Sequence, residues 1–253
     1  MKKAFLAAAV ICLLLLIGCG QQPPAPTDTT PTPDPDQTVQ SQPDPPQHSP
    51  LYIPGLDVEE VLLNFNEVCL DAEISHSGDS SRLQKWVTPI YYRFSGEYTH
   101  EDTAIFTSFA DWLNTVEGFP GIREAQNDAQ VNLRIYFCPQ SEMASIMGDW
   151  ACDLDGAVTF WFSNHEIYDA TICYRTDVDQ QIRNSVILEE LYNGLGPIQD
   201  TDRRTDSIIY SGYSTPQSLT AVDELLLRLL YHPQLLCGMD PAQCETVIRH
   251  LYY

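Results

Sequence analysis

The stretch Ile187-Leu188-Glu189-Glu190-Leu191-Tyr192-Asn193-Gly194-Leu195-Gly196 decides the fold of this chain. Apolar side chains recur in it at spacings of three and four residues, which is the period of an amphipathic α-helix. Gly194 and Gly196 follow the periodic part, and glycines in that place favour a helix end. The sequence therefore predicts a central helix over about residues 179–195.

The polar residues of this stretch fall on the frame His-Glu-x-x-His-x-x-Gly of zinc metallopeptidases. In that frame two histidines one turn apart hold the metal, and the glutamate acts on the metal-bound water. Here Glu190 and Gly196 match the frame, whereas Glu189 and Asn193 stand where the histidines would be. The pattern indicates the scaffold of a zinc site without its histidine ligands.

A second stretch, Ser207-Ile208-Ile209-Tyr210, resembles the Ser-Ile-Met-x-Tyr turn that lies under the zinc of metzincins. Ile209 stands in the place of the methionine, and Tyr210 follows it. The polar loop between helix and turn carries Gln199 and Asp200, near where a third metal ligand would lie. This resemblance implies a zincin-like fold around the central helix.

The chain also resembles an uncharacterised bacterial family of exported, zincin-like proteins that is known only as a domain of unknown function. That family carries Glu-Glu-x-x-Gln-x-Leu-Gly on its central helix, and Asn193 replaces the glutamine here. Its second motif reads here Leu219-Thr220-Ala221-Val222-Asp223, Leu227-Arg228-Leu229-Leu230-Tyr231-His232-Pro233 and Gly238-Met239. The resemblance runs from about Asp57 to the C-terminus.

The remaining patterns predict helices and a small group of strands around the central helix. The expected helices begin at Asp57, Thr99, Pro139, Thr220 and Asp240, and the expected strands cover 86–94, 131–137, 157–162 and 168–174. The strands cluster in the middle of the chain instead of alternating with helices, which favours an α+β domain. We expect a small mixed or antiparallel sheet packed on helices, with a helical C-terminal part.

The N-terminus is typical of a bacterial lipoprotein. Two lysines precede an apolar run that ends in Leu16-Ile17-Gly18-Cys19, which resembles a lipobox. We expect residues 1–19 to form the signal and Cys19 to carry the lipid, with 20–50 as a disordered, Pro-, Thr-, Gln- and Asp-rich tether. The alternative is a plain signal peptide or membrane anchor in which Cys19 is incidental. Residues 51–253 then form the folded domain.

The charge excludes one class of partner. The formal net charge is −22, and two lysines and four aspartates before Leu51 leave −20 on the rest of the chain. Such a surface repels phosphate backbones, so nucleic acid is not an expected partner. The expected attachments are the membrane, through the lipid on Cys19, and a peptide or a cell-envelope protein.

Six cysteines remain after Cys12 and Cys19. An even number in an exported domain favours disulfides, and a Cys237–Cys244 bridge would join the last loop to the last helix. The alternative is a set of buried free thiols.

The candidate chemistry centres on Glu190, which could act as a general base or could be an ordinary hydrogen-bonded helix residue. Glu189, Asn193 and Asp200 could form an oxygen-ligated divalent metal site. Equally, they could hydrogen-bond to one another, and no cofactor is then expected.

The expected function is that of a lipid-anchored, extracytoplasmic binding or scaffold protein with a metallopeptidase-like fold. The missing histidine pair favours this interpretation over catalysis. The alternative is a divergent metallohydrolase that uses Glu190 as its general base.

Overall fold

The computed structural model describes residues 49–70, 82–197, 199–212 and 215–253, which form six helices and a six-stranded sheet. The expected signal (1–19), Cys19 and nearly all of the tether (20–50) lie outside the described residues. Within those residues, no helix is long and apolar enough to cross a membrane.

The helices and strands alternate in the first half of the domain and become helical at the end. The helices are α1 (Val58–Cys69), α2 (His100–Leu113), α3 (Gln140–Met147), α4 (Gln180–Asn193), α5 (Ala221–Tyr231) and α6 (Pro241–Tyr252). The strands are β1 (Lys85–Trp86), β2 (Ile90–Gly96), β3 (Ile122–Glu124), β4 (Leu133–Cys138), β5 (Gly156–Ser163) and β6 (Glu166–Arg175).

Three of the helices that begin at predicted residues start with capping boxes. In each, the side chain of the residue before the helix accepts a hydrogen bond from the backbone N–H three residues later. The side chain of that later residue accepts one from the backbone N–H of the first. The pairs are Thr99 with Asp102, Thr220 with Asp223, and Asp240 with Gln243.

The sheet is mixed but mostly parallel, so the mixed sheet of the two expected forms is present and the antiparallel one is wrong. Its order is β1-β6-β4-β2-β3, with every neighbouring pair parallel, and only β5 is antiparallel, along β6. Strands that cluster in sequence need not be antiparallel, because α2 and α3 supply the crossovers that parallel neighbours require. The architecture is a mixed α/β arrangement compatible with the α+β class.

Two strand predictions need correction. The expected strand over 86–94 is divided into β1 and β2, and Pro89, which cannot donate to a ladder, lies between them. The three residues of β3 were not predicted. They are held by Asn114, whose side chain accepts from the N–H of Ile122 at 2.8 Å and donates to its carbonyl at 2.9 Å.

The apolar residues at helical spacing in the central helix α4 are buried as the sequence predicts, but several polar residues are buried too, so α4 is enclosed around most of its circumference. Its first turn also carries a buried ion pair, in which Arg183 Nε lies 2.8 Å from a carboxylate oxygen of Asp102 in α2. On the sheet side, the Tyr174 hydroxyl donates to the carbonyl of Ile187 at 3.2 Å. These contacts lock α4 between α2 and the sheet.

The six cysteines of the described residues are free thiols, and the expected Cys237–Cys244 bridge is absent. Cys244 is buried on α6, whereas Cys237 is partly exposed and its thiol lies 3.8 Å from the Lys85 carbonyl. Cys138 and Cys173 lie on adjacent strands with their sulfur atoms 3.2 Å apart. The alternative of buried free thiols therefore holds for four of the six cysteines, because Cys152 is exposed and Cys237 is partly exposed.

We expect the thiols to react with an aromatic disulfide reagent in the order of their burial. Cys152 is exposed and should react fast, whereas the four buried thiols of Cys69, Cys138, Cys173 and Cys244 should react only on unfolding. Burial also raises the pKa of these four thiols and removes the reactive thiolate. Peptide mapping of labelled cysteines before and after denaturation measures the order, and fast native labelling of Cys173 would contradict this fold.

Candidate functional site

The C-terminal end of α4 is fixed by groups from distant parts of the chain. The Trp86 indole N–H donates to the Gly194 carbonyl at 2.9 Å, and the Tyr231 hydroxyl donates to the Leu195 carbonyl at 2.6 Å. Gly196 has a φ of +126°, and a Cβ there would lie 2.5 Å from the Gln84 carbonyl oxygen. The glycine that matches the metallopeptidase frame is therefore required by backbone geometry.

The segment after α4 is tied to the turn that contains Ile209 and Tyr210. The N–H of Thr201 donates to the Ile209 carbonyl at 2.8 Å, and an isolated parallel bridge joins Thr201 and Tyr210. Ile209 is fully buried, and the Ser207 hydroxyl donates to a carboxylate oxygen of Asp223 at 2.7 Å. The turn supports the loop that carries Asp200.

An open cleft of about 220 Å³ lies between α4, the start of β5 and this loop. Its wall contains Glu190 and Asn193 from α4 and Asp200 from the loop. An Asn193 side-chain N–H donates to a carboxylate oxygen of Asp200 at 3.3 Å. The rest of the wall is Trp150, Leu154, Gly156, Ala157, Val158, Phe160, Pro197 and Gln199.

The structure therefore brings together four of the five polar residues that the sequence singled out, namely Glu190, Asn193, Gln199 and Asp200. Glu189 is half-buried and is not part of the cleft wall. The cleft pair on α4 is Glu190 and Asn193, three residues apart, instead of Glu189 and Asn193, four apart.

Gly156 was not predicted as a site residue, yet it makes room for Glu190. A Cβ at Gly156 would lie 2.8 Å from Cγ and 3.0 Å from Oε1 of Glu190. The same Cβ would lie 2.3 Å from Cγ1 of Val186, so the glycine at the start of β5 lets two side chains of α4 approach this strand closely. A glycine at the start of an apolar strand was the available signal, because it marks close approach of another group.

The carboxylates of this region are unusual in their surroundings. Glu190 is 8% exposed, and burial raises its pKa well above the usual value, with repulsion from Glu189 and Asp200 adding to the effect. Burial, followed by repulsion from Asp200 and Asp155, raises the pKa of Glu189 to about 8. Both residues therefore bind protons near neutral pH more strongly than an exposed glutamate does.

The donor set does not fit a zinc site. Across the part of the chain that the structure describes, no three His, Cys, Asp or Glu side chains converge as metal ligands must. Asn193 also points an N–H donor at Asp200, which is the contact of a hydrogen-bonded pair and not of two ligands sharing a cation.

We expect Gly196→Ala to destabilise the domain more than Gly55→Ala does. Both glycines have positive φ, so an alanine at either position costs roughly 1–2 kcal/mol in backbone strain. A Cβ at Gly55 meets nothing within 4 Å, whereas one at Gly196 collides with the Gln84 carbonyl and should add about 2 kcal/mol. Urea unfolding of both variants measures the difference, and equal losses would show that the end of α4 is not packed in this way.

We expect Glu190→Gln to stabilise the domain at pH 8 and to change little at pH 5. A glutamate whose pKa is raised by folding holds its proton in the folded state and loses it on unfolding above about pH 4.5. The stability of the unmodified chain should therefore fall as pH rises from about 5 to 8. In the variant, the free energy of unfolding should decrease less steeply with pH, and at pH 8 it should be roughly 1–3 kcal/mol higher than in the unmodified chain.

Thermal unfolding at the two pH values measures this effect. Glu97→Gln is the matched control, because Glu97 is exposed and its substitution removes the same charge. An equal gain in both variants would assign the effect to net charge and not to the burial of Glu190.

The comparisons with known proteins give a family and no activity. A model of a family described as a protein of unknown function, DUF2927, matches residues 59–250. No curated protein is detectably similar to the chain. The match covers α1 to α6, including the cleft, and so the chain belongs to the DUF2927 family.

Proposed function

We propose that this chain is a lipid-anchored, extracytoplasmic binding protein with a zincin-like fold that lacks the zinc-binding histidines. Its ligand is an extended peptide, either free or part of a cell-envelope protein, held in the cleft between α4 and β5. The observation that carries this proposal is an unpaired strand edge beside a polar cleft.

The strand β5 supplies that edge. Among the described residues it pairs only with β6, so along its eight residues the backbone N–H and C=O groups that point away from β6 are unpaired. Residues 156–158 and Phe160 of this strand form part of the cleft wall. An extended peptide can add to such an edge through main-chain hydrogen bonds, with pockets beside it selecting side chains.

The zincin-like relationship is supported by arrangement and not by ligands. A single antiparallel edge strand borders the helix that carries the degenerate frame, and that helix follows β6 directly. The backbone hydrogen bond from Thr201 to Ile209 supports the relationship, because it joins the loop after α4 to the turn that resembles the metzincin turn. Cys19 and the tether would hold this cleft at a distance from the membrane.

Exposed apolar groups at the mouth of the cleft provide contact surface for a peptide. Trp150 is 54% exposed and Leu154 is 40% exposed, and both belong to the cleft wall. Large exposed aromatic residues beside a pocket commonly carry much of the binding energy in peptide complexes.

Trp150→Ala should weaken peptide binding by about tenfold or more, as expected for an aromatic anchor. Short fluorescent peptides selected from a random library for binding to the full chain, followed by polarisation titration, measure the dissociation constants. Tyr168→Ala is the matched control, because Tyr168 is similarly exposed but lies on β6, away from the free edge of β5 and outside the cleft wall. Failure of any peptide to bind, or equal losses in the two variants, would contradict the proposal.

Hydrolysis is the second candidate, and the position of Glu190 favours it. A carboxyl group that is buried in a cleft and has a raised pKa can act as a general base near neutral pH. The surrounding donors do not fit a zinc site, so we derive no catalytic step through a metal. Turnover of the selected peptides that is lost in Glu190→Gln would establish this candidate over simple binding.

A further inference from the structure

The floor of the cleft contains hydrogen-bond acceptors without donors. Glu190 is more than nine-tenths buried, and no described group donates a hydrogen bond to it or forms an ion pair with it. The side-chain oxygen of Asn193, one turn further along α4, is also buried without a partner. A buried acceptor without a partner is costly, so Asn193 Oδ1 beside the unpaired carboxyl group of Glu190 in an open cleft points to a ligand that donates.

Buried carboxylates elsewhere in the domain have cationic partners. Asp102 and Asp223 are fully buried, and the guanidinium groups of Arg183 and Arg204 lie 2.8 and 2.9 Å from them. Glu190 is the exception among the buried carboxylates of the described residues. The Glu190 carboxyl group in the cleft therefore lacks the guanidinium partner that the other buried carboxylates have.

The charge around the cleft has one sign. Its wall contains Glu190 and Asp200 and no lysine, arginine or histidine, and Glu189 and Asp155 lie close enough to affect the local field. The Arg175 guanidinium is already bound to Asp155 and Asp177. An incoming cation would therefore meet no repulsion from the wall.

The shape of the acceptor set favours an organic cation over a metal ion. A metal ion needs ligands that converge on one point, and the acidic groups of the described residues do not do so. A guanidinium group presents five N–H donors around a plane and can reach acceptors that are spread apart. Trp150, Leu154 and Phe160 add an apolar wall for an alkyl stem and an aromatic face for stacking.

We propose that the cleft binds an arginine side chain of the peptide, with its guanidinium group donating to Glu190, Asn193 Oδ1 and Asp200. The proposal rests on the peptide-binding function and names the side chain that the cleft selects. Lysine should bind less well, because its compact ammonium group is more strongly hydrated and cannot span the same acceptors.

The test compares versions of one selected peptide that differ at a single position. The full chain is titrated with the arginine peptide, the lysine peptide and a citrulline peptide, in which a neutral urea replaces the guanidinium at almost the same shape. We expect the arginine peptide to bind at least about tenfold more tightly than the citrulline peptide. That preference should disappear in Glu190→Gln and shrink in Asp200→Asn, and it should persist in Glu97→Gln.

The outcomes separate the two proposals. Equal affinity for arginine and citrulline peptides would overturn the arginine site and leave peptide binding standing. Absence of binding by every peptide would overturn peptide binding, and with it the arginine site. Stoichiometric binding of calcium, manganese or zinc ions that is lost in Glu190→Gln, measured by calorimetry without peptide, would overturn the arginine site in favour of a metal.

Discussion

The close contacts at the C-terminal end of α4 fix the position of this helix and of the loop that follows it, and both form part of the cleft wall. Gly196 passes so close to the Gln84 carbonyl that no side chain fits, and the Trp86 indole N–H is bonded to the last turn. The two-residue strand β1 also controls α5, because Lys85 Nζ donates to the carbonyls of Leu230 and Leu235 at 2.9 and 2.5 Å. A short strand thus bonds to the C-terminal ends of two helices, and the chain that follows α4 forms part of the cleft wall.

The fixed position of α4 keeps the Glu190 carboxyl group buried without a cationic partner, which is electrostatically unfavourable. Packing of α4 against β5 and β6 places the Glu190 side chain beside Gly156, and no guanidinium group of the described residues pairs with it there. The domain therefore carries a buried carboxylate that is easiest to accommodate in its protonated form at low pH. A cationic ligand would remove this penalty, and binding and stability are then two consequences of the same placement.

Local sequence signals predicted the helices well, and non-local contacts explain the failures. Thr99 with Asp102 and Thr220 with Asp223 identify helix starts because a capping box is complete within four residues. The three residues of β3 have no such signal, since their pairing depends on Asn114. Pro89 did carry a signal for the break between β1 and β2, and the alternation of aromatic residues outweighed it.

The site was predicted in part for the same reason. Helical spacing was enough to place Asn193 near the loop that carries Asp200, and the structure joins them at 3.3 Å. Helical spacing could not reveal that the Glu190 carboxyl group lacks a hydrogen-bond or ion-pair partner. The absence of a partner depends on Gly156 and on where each arginine of the domain is bound. An unpaired buried group is a property of the whole fold and has no local sequence pattern.

Hydrogen exchange of the backbone amides, with and without a bound peptide, tests the account most directly. A peptide that adds to the free edge of β5 and reaches Glu190 should slow exchange in residues 156–163 and around residues 190–200. Exchange in α1 and α6, which lie outside the cleft wall, should not change. Protection confined to α1 and α6, with β5 unchanged, would contradict a binding cleft between the edge strand and α4.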